Sequence, residues 1–338
     1  MFFSFLDVLF FSFLDVLFFS FLVKKNATLI KPLNRKIFKS NQPTNQPTNQ
    51  PTNQPTNQPT NQPTNQLTNY LCKMQKSFTD GMGQEVTVNF PPKRIVSIVP
   101  SQTELLFDLG LDKEIIGLTK FCIHPIEKFA ERTKVGGTKK LNIDLIKDLK
   151  PDLIIGNKEE NTQSDIEELS QFFPVWMSDI FTLDDAMKAI SDIGELVDRS
   201  PEAAYLNHLI SAGFNDLKTL ALQNRIDKKA AYLIWRKPYM AAGKNTFIND
   251  VLVSNGITNV IDAKRYPEIT LKKLEALNPQ LILLSSEPYP FKEKHIEEIQ
   301  EALPEAKIML VDGEMFSWYG SRLVKAVQYF FEFQKELY

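Results

Sequence analysis

Cys122 and His124 stand two residues apart in one segment of the chain. A thiol beside an imidazole is raw material for nucleophilic catalysis, or for half a metal site. Nothing near them completes a triad, so the expectation is plainer. Cys122 serves as a small buried hydrophobe and His124 closes a loop before Pro125. Glu159 and Glu160 are adjacent carboxylates, read as solvated or ligand-rim charges rather than paired acid–base groups. The chain has no nucleophile elbow, phosphate loop or zinc-protease helix. Gly81-Met82-Gly83 precedes a strand instead of following one, so it is no dinucleotide fingerprint. Three His and two Cys rule out a disulfide framework, and no metal ligand set is assigned. His208 and His295 read as helix-surface residues.

The richer signal is aromatic. Segments following the expected strands are crowded with large flat and charged side chains. In the first half these are Pro100-Ser101-Gln102, Lys120-Phe121-Cys122-Ile123-His124 and Asn157-Lys158-Glu159-Glu160-Asn161. In the second they are Trp235-Arg236-Lys237-Pro238-Tyr239, Lys264-Arg265-Tyr266, Glu287-Pro288-Tyr289-Pro290-Phe291 and Glu314-Met315-Phe316-Ser317-Trp318-Tyr319. Flat faces with scattered hydrogen-bonding tips suit a large planar ligand rimmed with polar groups. About half of these aromatics are expected to pack beneath their loops. Trp318 and Tyr266 are expected to face the cleft.

Positioning them requires a scaffold, and the pattern supplies one. Short β-branched runs alternate with capped helices: strands at 94–99, 115–119, 152–156 and 175–178, helices at 101–109, 182–197 and one capped by Asn142 that ends before Pro151. Ser101-Gln102-Thr103-Glu104 reads as a capping box. Ser200-Pro201-Glu202 opens a long helix to about Asn224, with Gly213 its only weak point. The alternation then restarts, with strands at 231–235, 259–262, 281–285 and 307–311 and helices from Thr246, Thr270, Lys292 and Ser321. Residues 141–161 lie over 269–289 at a constant offset of 128, Leu149-Lys150-Pro151 over Leu277-Asn278-Pro279. The fold class is therefore α/β: two similar parallel-sheet lobes (93–199 and 226–338) joined by one long backbone helix (200–225), with a ligand cleft between them. One stiff connection predicts limited hinge motion.

Residues 1–73 are a different material. They repeat FFSFLDVL and then carry six copies of Asn-Gln-Pro-Thr from Asn41 to Thr64, a tract with no apolar face and expected to be disordered. Asp7 and Asp15 interrupt the apolar run, while Lys24 and Lys25 follow it, the wrong side for a secretory signal. Asn69-Tyr70-Leu71 before Cys72 is a poor lipidation site, and Met74 is the expected native start. This segment holds seven basic and two acidic residues, leaving 32 basic and 39 acidic beyond it, a balance that argues against nucleic acid.

Arg94-Ile95-Val96-Ser97-Ile98-Val99-Pro100-Ser101-Gln102-Thr103-Glu104, the Val135-Gly136-Gly137 turn, Leu149 to Ile155, Tyr266-Pro267-Glu268 and Asn278-Pro279 together carry a resemblance. From about Arg94 to Tyr338 the chain resembles the helical-backbone substrate-binding proteins of ABC importers, the iron/cobalamin periplasmic-binding family, and most of all its cobalamin-binding members. The resemblance implies aromatic packing on a corrin from Phe121 and Tyr266, with Asn157 and Thr138 at other platform positions. Glu314 and Trp318 match loosely the polar positions of the last strand–helix loop, and stacking shifts toward Trp235, Tyr289 and Trp318. It also implies docking on a permease through one carboxylate per lobe. Asp144 matches the first; Lys272 stands at the second, with Glu275 one turn on as substitute.

The expectation is thus a non-enzymatic, monomeric binding protein with a corrinoid ligand and no catalytic cofactor. Its contacts are Phe121, His124, Asn157, Glu159, Trp235, Tyr266, Tyr289, Glu314 and Trp318. A siderophore- or haem-binding receptor of the same family is the near alternative. A cytoplasmic corrinoid-handling protein or enzyme using Cys122 and His124 is the distant one. The resemblance implies a periplasmic location, the weak leader a cytoplasmic one.

Overall fold

The computed structural model describes residues 74–337, and the readings made for residues 1–73 lie outside them. The described chain opens with a hairpin of β1 (Met74–Thr79) and β2 (Glu85–Phe90), paired from Met74–Phe90 to Thr79–Glu85. Asp80 builds its turn, the carboxylate accepting from Met82 N at 2.9 Å and Gln84 N at 2.8 Å.

The first lobe follows as β3 (Ile95–Ser97), α1 (Pro100–Asp108), β4 (Ile115–Leu118), α2 (Ile126–Ala130) and β5 (Thr133–Lys134). A small hairpin, β6 (Gly136–Gly137) and β7 (Lys140–Leu141), leads into α3 (Ile143–Leu149), β8 (Leu153–Asn157), α4 (Gln163–Ser170), β9 (Val175–Ser178) and α5 (Leu183–Leu196). Its sheet is parallel in the order β5-β4-β3-β8-β9. The backbone helix α6 (Ser200–Gln223) has 24 residues, about 36 Å at the usual rise.

The second lobe runs β10 (Lys228–Trp235), β11 (Met240–Ala241), α7 (Phe247–Ser254), β12 (Ile257–Asn259), α8 (Leu271–Leu277), β13 (Leu281–Ser285), α9 (Glu293–Ala302), β14 (Lys307–Val311), α10 (Gly313–Ser317) and α11 (Arg322–Lys335). Strands β12, β10, β13 and β14 are parallel, and β11 adds an antiparallel piece to β10.

The internal repeat is literal. Helix α8 lies 128 residues after α3 at both ends, and β13 lies 128 after β8. The side chains of Asn142 and Thr270 cap the two helices, and Lys150 and Asn278 close them, both at φ 47. That left-handed C-cap, followed by proline, turns each chain sharply into its central strand.

Strand alternation splits the interior into three clusters. Ile154 and Val96 face an outer cluster with Ile146 and Leu169, while Leu153, Ile155 and Ile95 face the largest one. Ile282 and Leu284 face the second lobe's outer cluster with Leu274 and Ile299. The largest cluster is shared: Leu105 and Leu109, Ile190 and Ile193, Ile210 and Phe214, Leu283, Leu323 and Phe330 belong to one continuous core. The lobes are thus fused along α6.

Two readings of local detail change. Ser101 and Glu104 form no capping box; α1 starts at Pro100 with no side-chain cap, and both residues are buried. The cap position falls on Val99, which has no side-chain acceptor, and Glu104 meets Arg322 of α11, 2.7 Å away. His295 is buried as well, its Nδ1 accepting from Lys292 N at 2.9 Å.

Candidate functional site

The carboxyl ends of both sheets, where ligands of open parallel sheets bind, face one seam between the lobes. Two side chains at the ends of the central strands shape its loops. At the end of β8, Asn157 donates to Ser178 Oγ at 2.9 Å and accepts from Glu159 N at 2.9 Å and Glu160 N at 3.1 Å. At the end of β13, Ser285 accepts from Tyr232 OH at 3.0 Å and donates to Glu287 O at 2.5 Å. Asn157 and Ser285 are equivalent under the 128-residue repeat, and so are Glu159 and Glu287. Each lobe therefore turns its chain just past the central strand and holds up a glutamate two residues later. Gly313 makes room on the second side, since a Cβ there would meet Ser285 Oγ at 2.5 Å and Glu287 Cγ at 2.6 Å.

The seam is narrow and crossed by ion pairs. His124 Nε2 of the first lobe lies 3.0 Å from Glu314 Oε2 of the second, and Arg265 Nη2 lies 3.1 Å from Glu159 Oε1. The Arg265 guanidinium also sits 5.3 Å from the Phe181 ring centre. Beneath, Arg322 joins Glu314 at 3.2 Å to Glu104 and lies 5.1 Å from the Trp318 ring centre. Between Gln102, Leu105, Ile180 and Tyr319 lies a small cavity of about 10 Å³. A larger concavity of about 570 Å³ lies elsewhere, on the second lobe beside Lys244, Asn249, Thr258 and Asp262.

Electrostatically the seam is a place of acids. Burial pushes the Glu287 carboxyl up to about 7, against the hydrogen bonds from Trp318 and Ser317, with Glu314 and Glu160 adding to the rise. Burial, then the Glu159 charge, raises Glu160. The Tyr266 hydroxyl is raised by burial and then by Glu159.

His124, Glu314 and Trp318 come together, the histidine ring edge-on to the indole at 5.5 Å. Trp318 does not display its face: only 8% is exposed, and Nε1 donates to Glu287 Oε1 at 2.7 Å. The carboxylate opposite fixes it as a wall of the seam. Glu159 and Tyr266 meet at the Arg265 latch, where Tyr266 is half-buried. Asn157 is 1% exposed and its amide is committed within its own lobe, so it positions Glu159 and Glu160 instead of meeting a ligand. Among the expected contacts, Phe121 and Trp235 are the open aromatics, at 50% and 39%. Trp235 packs edge-on against Tyr289 at 5.6 Å, apart from the His124 group. Asp144 and Lys272 are exposed on the first turns of α3 and α8, and Glu275 is exposed one turn on from Lys272. Cys122 is not an activated thiol. It is 1% exposed, its Sγ 3.1 Å from Thr103 Oγ1 and 3.0 Å from Thr119 Oγ1, and burial raises it.

Sequence reasoning placed Glu160 and Glu287 in the cleft loops without naming them as ligand contacts, and passed over Arg322. The repeat register already pairs Glu287 with Glu159 and could have found it; nothing local announces Arg322.

Residues 95–307 match the family described as periplasmic binding protein. The chain belongs to that family. Residues 39–70 match a second description, the PT disordered repeat. This periplasmic binding protein is 26% identical over 270 residues to an uncharacterized ABC transporter substrate-binding lipoprotein, YvrC, of Bacillus subtilis, covering 74% of this chain and 82% of the relative. It is 26% identical over 202 residues to a vitamin B12-binding protein of Vibrio cholerae, covering 58% and 71%. Among solved structures it superposes on the periplasmic vitamin B12 binding protein BtuF of Vibrio cholerae with a TM-score of 0.63, at 21% identity and covering 73% and 98%. A periplasmic heme binding protein of Pseudomonas aeruginosa superposes equally well, with a TM-score of 0.63 at 18% identity, covering 73% and 93%. These likenesses place the fold, two α/β lobes on a backbone helix, in the same group.

Proposed function

We propose that this binding protein captures a corrinoid of the cobalamin type between its lobes, as a monomer, and presents it to an ABC importer on the outer side of the membrane. The observation that carries the reading is the pair Phe121 and Trp235. They are flat rings on opposite lobes, at the carboxyl ends of β4 and β10, both open to solvent. Rings so placed offer stacking faces to a macrocycle, each contributing about 0.5–1.5 kcal/mol beyond its buried area. His124, Glu159, Tyr266, Glu314 and Trp318 line the seam into which the ligand edge would reach. Admission parts two half-exposed ion pairs, each worth about 1 kcal/mol or less. The relatives named for vitamin B12 support the ligand class, and the lipoprotein relative supports an extracytoplasmic location. Asp144 and Glu275, exposed on equivalent helices, would meet the permease.

Calorimetric titration with cobalamin, haem and a ferric siderophore tests this reading. Cobalamin is expected to bind most tightly, and Phe121→Ala and Trp235→Ala each to weaken it about tenfold. Absence of binding to cobalamin, or tighter binding of either competitor, overturns it.

A further inference from the structure

The duplicated turns deliver carboxylates to the seam, and cations do not cancel all of them. Glu159 is paired with Arg265, and Glu314 with His124 and Arg322. Glu287 is different: its partners are the neutral donors Trp318 Nε1 at 2.7 Å and Ser317 Oγ at 3.1 Å. The Glu160 carboxylate has no donor among the described residues, and its charge is felt by Glu287, Tyr266 and Tyr319 across the seam. The nearby cation, Lys139, is bound to the Glu159 carbonyl. Beside these acids lie two polar atoms that also lack partners, Tyr319 OH and Gln102 Oε1. Both residues are more than nine-tenths buried, and both line the small cavity at the base of the seam. Tyr319 feels the charges of Glu160 and Glu159. A buried acceptor without a partner is costly, and half-buried carboxylates that no cation pairs add to it, so the seam favours a guest that supplies donors.

We propose that Glu160 and Glu287 make this seam selective for the edge of its ligand, admitting a macrocycle rimmed with carboxamide donors and rejecting one rimmed with carboxylates. A carboxamide rim gives N–H groups to the half-buried Glu160 and Glu287 carboxylates, supplying donors where the protein places no cation. A carboxylate rim brings like charges together, which weakens its binding. The arrangement is two-sided, since Glu159–Glu160 rises from the first lobe and Glu287 from its repeat in the second. An acid-rimmed guest would therefore meet repulsion at both faces.

This inference rests on the corrinoid reading and sharpens it, and one experiment separates the two. Cobinamide, whose rim is carboxamide, and cobyrinic acid, the same ring rimmed with carboxylates, are titrated into the full chain at pH 8 by calorimetry. The full chain is expected to bind cobinamide about 100-fold more tightly than cobyrinic acid. In Glu160→Gln/Glu287→Gln, which keeps the shape of both side chains, the ratio falls about tenfold or more, chiefly because cobyrinic acid binds better. Circular dichroism confirms that the variant is folded; should it be misfolded, the ratio in the unmodified protein alone decides. Equal binding of the two corrinoids, or a ratio untouched in the folded variant, overturns the selectivity while leaving the corrinoid reading intact. Binding of neither removes both.

Discussion

Glu104 and Arg322 stand 218 residues apart in sequence and 2.7 Å apart in space, with side chains 3% and 6% exposed. The pair ties α1 of the first lobe to the start of α11. Lys325 adds a second bond to Glu104 at 2.9 Å, and Arg322 carries the network on to Glu314 and so to His124. A buried charge pair is weak evidence of stabilisation when whole, yet breaking one leaves an uncompensated ion in a low dielectric. Arg322→Met is therefore expected to lower the unfolding free energy by about 3 kcal/mol in urea titration. Lys335→Gln, which breaks an exposed pair with Glu332, is expected to change it by less than about 0.5 kcal/mol.

Gly213 reads in sequence as a flaw in the long helix, and its surroundings show why it is there. A Cβ at this position would lie 2.6 Å from Val327 Cγ2 of α11. Alanine would gain about 1 kcal/mol of helix propensity but force the helices apart, at about 1–3 kcal/mol. Gly213→Ala is expected to lower the melting temperature, and Gly213→Ala/Val327→Ala to recover part of the loss relative to Val327→Ala alone.

Burial raises Glu287 from its ordinary value of 4.5 to about 7. Between these limits the folded protein keeps a proton that the unfolded chain has released, so this group's contribution to stability falls as pH rises from about 4.5 to about 7. Glu287→Gln removes that dependence while keeping an acceptor for Trp318. The variant is expected to gain on the unmodified protein by about 2–3 kcal/mol between pH 4.5 and pH 8, measured by paired denaturant titrations. A difference that stays flat with pH would show that the Glu287 carboxyl titrates normally.

What was legible in the sequence was whatever is fixed locally or by repetition. The 128-residue register predicted where α8 and β13 would lie, because Asn142 and Thr270 cap and Lys150-Pro151 and Asn278-Pro279 stop the helices by local chemistry. Thr182 likewise caps α5 with Asp185 in a true capping box. Ser101 to Glu104 has the same pattern of residue types and a different fate: the cap position falls on Val99, and Glu104 pairs with Arg322 more than two hundred residues away. Trp318 and Asn157 went the same way. Their types suit a ligand platform, but Glu287 holds one and Ser178 the other. Burial of that kind depends on contacts between segments distant in sequence, within a lobe for Trp318 and Asn157 and between lobes for Glu104, which periodicity along one chain does not encode.

The Arg265–Glu159 pair is the latch most open to test. Its side chains are 42% and 25% exposed, so solvent and salt screen it, and its loss should cost under about 1 kcal/mol of stability. Its effect on opening should be larger than its effect on folding, because the shared core around Phe214 and Leu323 holds the lobes together whether or not the latch is made. Arg265→Gln is therefore expected to leave the urea midpoint nearly unchanged while speeding amide exchange in residues 158–161 and 264–266. In stopped-flow mixing with cobalamin the variant should associate faster than the unmodified protein at low salt, with the advantage shrinking toward 1 M salt, where the native pair is itself screened. An association rate independent of both the substitution and the salt would mean that the lobes do not have to part at this point.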